Sequence, residues 1–154
     1  MALTNLKKSR ILEGKALDKD LRNRMAEMIK SIKAIEKRLP VLAKEYKKNL
    51  EMKMKDFMKN EQIDTERLTL EVALYVKNSD ISEEVTRLKH HIDAMKKTLY
   101  EEGELGRKID FIGQEMYRES NTMGAKSNDV AIANHVIAIK SAIEKIREQA
   151  QNVE

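Results

Sequence analysis

Apolar residues in this chain recur at alternating intervals of three and four, and little interrupts them. Leu21, Met25, Met28, Ile32, Ile35 and Leu39 make one such row. Val85, Leu88, Ile92, Met95 and Leu99 make a second, and Ile132, Val136, Ile139, Ile143 and Ile146 a third. A helix turns once in about 3.6 residues, so each row becomes a single apolar stripe, whereas a strand needs alternation by two. A helix cannot bury its own stripe, so the stripes must pack on one another. The 154 residues contain only 5 Gly and 1 Pro, too few turn residues for a many-stranded sheet. The expectation is an all-α protein: a long antiparallel coiled-coil-like helical hairpin plus a compact bundle of shorter helices.

In chain order, a first helix is expected over Leu3–Leu39 and a second over Val41–Lys59, with Pro40 breaking the chain between them. The second carries Leu42, Tyr46, Leu50, Met54 and Phe57 on one stripe. Asn60–Asp64 reads as a polar connection and Thr65–Asn78 as a third helix, with Leu68, Val72 and Val76 on one face. Asp80, as N-cap with Glu83 three residues on, predicts a capping box opening a fourth helix that runs to about Glu101. Gly103 ends it. Gly106–Lys126 forms the fifth helix, closed near its end by Gly124, and Ser127-Asn128-Asp129 caps the last. Two units are expected: a basic helical hairpin over 1–60 and a helical C-terminal domain over 61–154.

Charge supports that division. Residues 1–60 hold 17 Lys and Arg against 8 Asp and Glu, and residues 61–154 hold 13 against 18. A basic arm on an acidic body attracts a polyanion, although lysines also simply solubilise a long helix. Cys is absent, which excludes disulfides, thiolate metal sites and a cysteine nucleophile. No apolar run approaches the ~18–20 residues that span a bilayer, and MALTNLKKSR lacks the apolar core of a signal peptide. A cytoplasmic protein with no membrane partner is expected. Phosphate-binding glycine loops, HExxH, EF-hand loops and serine nucleophile elbows do not occur.

One segment departs from the repetitive Lys/Glu pattern. Gly106–Lys126 reads GRKIDFIGQEMYRESNTMGAK, and on a helix it sorts into two unlike faces. Ile109, Ile112, Met116 and Met123 gather on one, while Arg107, Asp110, Gln114, Arg118 and Asn121 gather on the other around Phe111. Glu115 and Glu119 lie one turn apart, a spacing at which two carboxylates share Mg²⁺ or Mn²⁺ or instead pair with Lys108 or Arg118 on a solvated surface. Arg107 and Arg118 suit phosphate oxygens. Phe111 suits stacking on a base or burial against a neighbour. On the fourth helix Glu84, Arg87 and His91 share a face, either as a metal- or RNA-facing strip or as a surface ion pair beside a boundary histidine. The spacing locates a site without naming a reaction.

GRKIDFIGQEMYRESNTMGAKSND, with KSAIEKIREQAQNVE at the end, resembles the C-terminal region of the bacterial YicC-like endoribonuclease family. The likeness extends upstream through DISEEVTRLKHHI and DTERLTLEVAL to Arg10, Glu13 and Gly14, so it covers nearly the whole chain. Family-motif positions retained include Glu84, Arg87 and His91, most of the polar face of the fifth helix, and Glu144, Arg147, Glu148, Gln151 and Asn152. Gly113 stands where Leu or Met is usual, Tyr117 where Asn is usual, and Ala125 where Ser is usual. The resemblance implies a piece of a chain roughly twice as long, with an N-terminal mixed α/β domain. It also implies a divalent-metal-dependent endoribonuclease, Mn²⁺-favouring, that assembles as a hexameric ring and acts on RNA.

On that basis Asp110, Glu115, Glu119 and His91 are the candidate catalytic residues, with Glu115 and Glu119 as metal ligands for Mn²⁺ or Mg²⁺. Arg107, Lys108, Phe111, Gln114, Arg118, Asn121 and Lys126 are the candidate RNA-binding residues. The alternative is a non-catalytic RNA-binding and oligomerisation module. A fragment lacking half the family's length is expected to be weak or inactive alone.

Overall fold

The computed structural model describes residues 2–57, 65–101, 103 and 105–151, with side chains described over 12–55 in the first of these stretches. Five helices follow one another: α1 Ala2–Phe57, α2 Thr65–Asn78, α3 Ser82–Thr98, α4 Leu105–Lys126 and α5 Val130–Gln151. No strand occurs among the described residues, so the all-α expectation holds. None of their helices is long and apolar enough to cross a membrane.

The three apolar rows do what their spacing requires. Leu21, Met25, Met28, Ile32 and Ile35 of α1 are buried with Val85, Leu88, Ile92 and Met95 of α3 and with Ile132, Val136, Ile139, Ile143 and Ile146 of α5. Ile109, Met116 and Met123 of α4 complete the same core. Each side chain so buried contributes about 1.5–3 kcal/mol by leaving water. The arrangement is an antiparallel four-helix bundle. α4 packs between α3 and α5, and α1 lies diagonally opposite it, against α5 and α3. Polar ties fix the directions: Gln149 Nε2 donates to Asp20 Oδ2 at 2.8 Å near one end of the α1–α5 pair, and Arg38 meets Asp129 near the other.

The hairpin expected across residues 1–60 is not formed there. α1 is a single helix that passes through Pro40, and its 56 residues reach about 84 Å at ~1.5 Å each. An interior proline costs about 3 kcal/mol because it lacks an N–H and its ring crowds the preceding turn. Tertiary contacts outweigh that local preference. Leu39 and Leu42 pack against the core on either side of Pro40. Arg38 bridges it, donating from Nη1 and Nη2 to Glu45 at 2.9 and 2.6 Å. The antiparallel partner of this distal part of α1 is α2: Tyr46 stacks on Tyr75 with ring centroids 3.8 Å apart. Leu68 of α2 is buried, but Val76, expected on the same face, is largely exposed. Phe57's side chain and the Asn60–Asp64 connection lie outside what is described.

The caps match their sequence signals unevenly. Ile132 N–H donates to Asp129 Oδ1 at 2.9 Å, so Asp129 caps α5 as expected. At α3 the N-cap position falls on Ile81, and Asp80 Oδ1 accepts from Ser82 N–H at 2.9 Å. Glu83 pairs with Arg87 instead of closing a capping box. Gly103 takes φ +107° in the α3–α4 connection, a conformation open to glycine. Gly124 does not end α4, which continues to Lys126. A Cβ at Gly124 would sit 3.4 Å from Val136 Cγ1, an ordinary van der Waals contact, so the packing of α5 does not require glycine there.

Candidate functional site

Helix α4 has two helix neighbours, and its sequence divides accordingly. Ile109, Gly113, Met116, Ser120 and Met123 turn inward. An outward ridge carries Arg107, Phe111, Gln114, Arg118 and Asn121, all exposed. Phe111 is 64% exposed, an unusual place for a large apolar ring. It borders a shallow groove of about 390 Å³ lined by Thr98, Glu101, Arg107, Lys108 and Ile112. Arg118's guanidinium has no ion-pair partner among the described residues, its carbonyl alone accepting a bond, from Thr122 Oγ1 at 3.3 Å. The ridge therefore presents cationic, aromatic and neutral hydrogen-bonding groups in a line along one helix.

The edge of α4 that faces α3 is acidic and basic by turns. Glu119 is only 6% exposed, and its Oε1 lies 3.5 Å from Arg87 Nη1. Lys126 Nζ donates to Glu84 Oε1 at 2.7 Å and to the Asp80 carbonyl at 3.4 Å. The other Glu84 oxygen is buried without a partner among the described residues. These contacts set an antiparallel register. One turn beyond Arg87 on α3 is His91, and one turn before Glu119 on α4 is Glu115, so His91 and Glu115 stand level along the same seam. Both are half-buried.

The edge that faces α5 holds a different group. Arg147 Nε donates to Asp110 Oδ1 at 2.8 Å, and Gln114 Nε2 donates to Asp110 Oδ2 at 2.7 Å. The guanidinium, followed by the Gln114 amide, holds the Asp110 carboxyl below its ordinary range despite partial burial. A carboxylate so stabilised is a poor proton acceptor near neutral pH. Two turns earlier on α5, Lys140 Nζ lies 4.8 Å over the Tyr117 ring.

The expected residues thus separate into three sets. Arg107, Phe111, Gln114, Arg118 and Asn121 form the open ridge. Lys108 and Lys126 have internal partners, Lys108 Nζ reaching Glu101 Oε2 at 2.6 Å. His91, Glu115 and Glu119 line the α3 seam, while Asp110 turns to the α5 side. Among the described residues no group of three or more His, Asp or Glu is placed to hold a metal. The donor chemistry fits a hydrated divalent cation, which commonly takes one or two protein carboxylates. Glu115 and the Glu119 oxygen not facing Arg87 are the donors at hand. Helical spacing within α4 could not reveal Arg87 and Arg147 as partners of this face, because both come from other helices.

Comparison with known proteins follows this geometry. The family described as "Endoribonuclease YicC-like, C-terminal" matches residues 35–154. A protein of Clostridioides difficile (strain 630) named "Probable endoribonuclease YicC" is 42% identical over 154 residues, covering 99% of this chain and 53% of that protein. A protein of the same name from Haemophilus influenzae is 31% identical over 152 residues, covering 99% of this chain and 52% of its own length. The chain spans about half the length of the curated relatives it matches. With its central and terminal helices inside the matched region, the chain belongs to the YicC-like endoribonuclease family, in that family's C-terminal part.

Proposed function

We propose that this chain is the helical part of a divalent-metal-dependent endoribonuclease, in which the α4 ridge grips RNA beside the α3–α4 seam. The observation that carries this reading is that the exposed cationic and aromatic ridge of α4 runs beside half-buried Glu115 on the same helix, which stands level with half-buried His91 of α3 across the seam. Arg107 and Arg118 orient phosphate oxygens, for which a planar guanidinium is better shaped than lysine. Phe111 offers a stacking surface, and Asn121 hydrogen-bonds bases or ribose. A divalent cation at Glu115 and Glu119 would lower the pKa of a bound water or neutralise phosphate charge. His91, level with Glu115, is the side chain on the α3 side of the seam that would serve as general acid or base. Asp110 orients rather than accepts, because its pair with Arg147 stabilises the charged form.

The test has two arms. RNA binding by this chain, titrated against salt, should fall steeply as phosphate contacts are screened; no binding at low salt rejects the ridge. In a form carrying the remainder found in the longer relatives, Glu115→Gln with Glu119→Gln should abolish Mn²⁺-stimulated cleavage while leaving assembly intact. Wild-type cleavage by that double variant rejects the metal role.

A second reading, an RNA-binding and oligomerisation module without chemistry, draws on the arm formed by α2 and the distal part of α1. Val41, Met52, Leu70, Leu74 and Val76 are exposed there, an apolar surface suited to self-association. That reading expects the mass in light scattering to rise with concentration, and cleavage to be untouched by the α4 carboxylate substitutions.

A further inference from the structure

Arg147 lies across α4 in a notch that only glycine leaves open. A Cβ built on Gly113 would stand 2.6 Å from Arg147 Cγ and 3.0 Å from Cδ, so any larger residue there displaces the side chain. The stem therefore runs flat over Gly113, and its Nε is held by Asp110 Oδ1 at 2.8 Å. Asp110 is itself held on its other oxygen by Gln114 at 2.7 Å. This bracing uses only one edge of the guanidinium. The two Nη groups have no hydrogen-bond partner among the described residues, and the side chain remains 30% exposed.

An arginine kept for structure alone tends to spend its planar fork on the carboxylate, in the bidentate manner seen for Arg38 with Glu45. Arg147 instead bonds through Nε alone, which leaves its paired Nη donors uncommitted among the described residues on a partly exposed side chain whose orientation is already fixed. Fixing removes much of the side-chain entropy that a surface arginine loses on binding. The chemistry that matches two uncommitted, coplanar N–H donors and a full positive charge is a phosphate oxygen pair. Lys140, seven residues earlier on α5 and over Tyr117, adds a second cation along the same α4–α5 interface.

We infer that Arg147 is a phosphate-binding residue for RNA, with Asp110 and Gly113 as positioning residues that aim its guanidinium. The assignment extends the RNA-binding surface from the α4 ridge across to α5, and it rests on the RNA-binding reading above.

The experiment is fluorescence anisotropy of a short single-stranded RNA with the full chain, titrated at several salt concentrations, with thermal melts in parallel. Arg147→Gln should weaken binding roughly tenfold at low salt and lower the salt slope by about 0.7, one phosphate contact. Arg147→Lys keeps the charge and should restore the slope while recovering only part of the affinity. Gly113→Ala and Asp110→Asn should weaken binding with Arg147 still present. A salt slope unchanged in Arg147→Gln, with wild-type RNA still bound, overturns the assignment of Arg147 and leaves the ridge standing. Absence of RNA binding by the wild type overturns both. Should Arg147→Gln fail to fold, Arg147→Lys and Gly113→Ala carry the test, and wild-type affinity in both overturns it.

Discussion

Arg38 and Asp129 tie together two parts of the chain far apart in sequence: Arg38 Nη2 donates to Asp129 Oδ2 at 2.9 Å, 91 residues away. Asp129 uses its other oxygen to cap α5, and Arg38 uses its other donor to bridge Pro40 to Glu45. One ion pair thus fastens the start of α5 to the place where α1 leaves the bundle. Its partners hold the Asp129 carboxyl below the ordinary range, the Arg38 hydrogen bond most of all, ahead of the backbone N–H of Ile132.

Removing Asp129 should therefore cost more than an exposed charge would. Asp129→Ala loses the cap, worth about 1–2 kcal/mol, and removes one of the two carboxylates that Arg38 bonds, leaving it Glu45 alone. Urea unfolding should show a lower midpoint, with an unchanged slope if the native packing is kept. An unaltered midpoint contradicts the fastening role.

Acid should unfold the protein through the same group. Asp20, Asp80, Asp110 and Asp129 are all held below their ordinary values, each chiefly by a side-chain hydrogen bond. A depressed folded-state pKa means that the charged form is stabilised by folding. Their contribution is present above the unfolded value of about 4 and is lost as pH falls through the lower folded values. Melting temperature should be level in this respect from pH 8 to 5 and fall below about pH 4. Asp129→Asn should flatten that fall; a variant as acid-sensitive as wild type counts against the assignment.

Pro40 offers a test in the opposite direction. Pro40→Ala restores an amide able to bond the Glu36 carbonyl and removes the ring, at a site worth up to about 3 kcal/mol. Amide exchange over residues 36–44 should slow, with helix content unchanged by circular dichroism. Faster exchange there means that the proline's geometry is needed for α2 to seat on α1.

Glu119 and Arg87 should behave as a coupled pair. Arg87→Met leaves a buried carboxylate facing no cation, so it should destabilise more than Arg87→Met combined with Glu119→Gln. A double-mutant cycle by thermal melting measures this, and strictly additive effects argue that the 3.5 Å contact carries no energy.

Phe111 separates RNA stacking from simple packing. Because the ring is exposed, Phe111→Ala should leave the melting temperature within a degree or two. If the ring stacks on a base, RNA affinity should fall by about 1–3 kcal/mol. Unchanged affinity together with a lost self-association signal by light scattering assigns the ring to a protein interface instead.

Sequence by itself determined the helical class, the residues of the core and the site's main helix. The three-and-four rows of α1, α3 and α5 are buried as their spacing demands, because burying an apolar stripe needs no knowledge of the partner. The α4 ridge was legible for the same reason: which residues share a face is a local property of a helix. Tertiary structure alone decided the rest. Pro40 favours a break locally, yet packing of Leu39 and Leu42 and the Arg38 bridge carry α1 through it. Asp110, Glu115 and Glu119 look equivalent on one helix. Only the placement of α3 and α5 gives Glu119 to Arg87, Asp110 to Arg147, and sets Glu115 level with His91. Gly113, which in sequence only stands where Leu or Met is usual, is the opening through which Arg147 crosses. A pattern along one helix records which face is inward or outward, whereas charge partners and close approaches depend on the helix that arrives opposite.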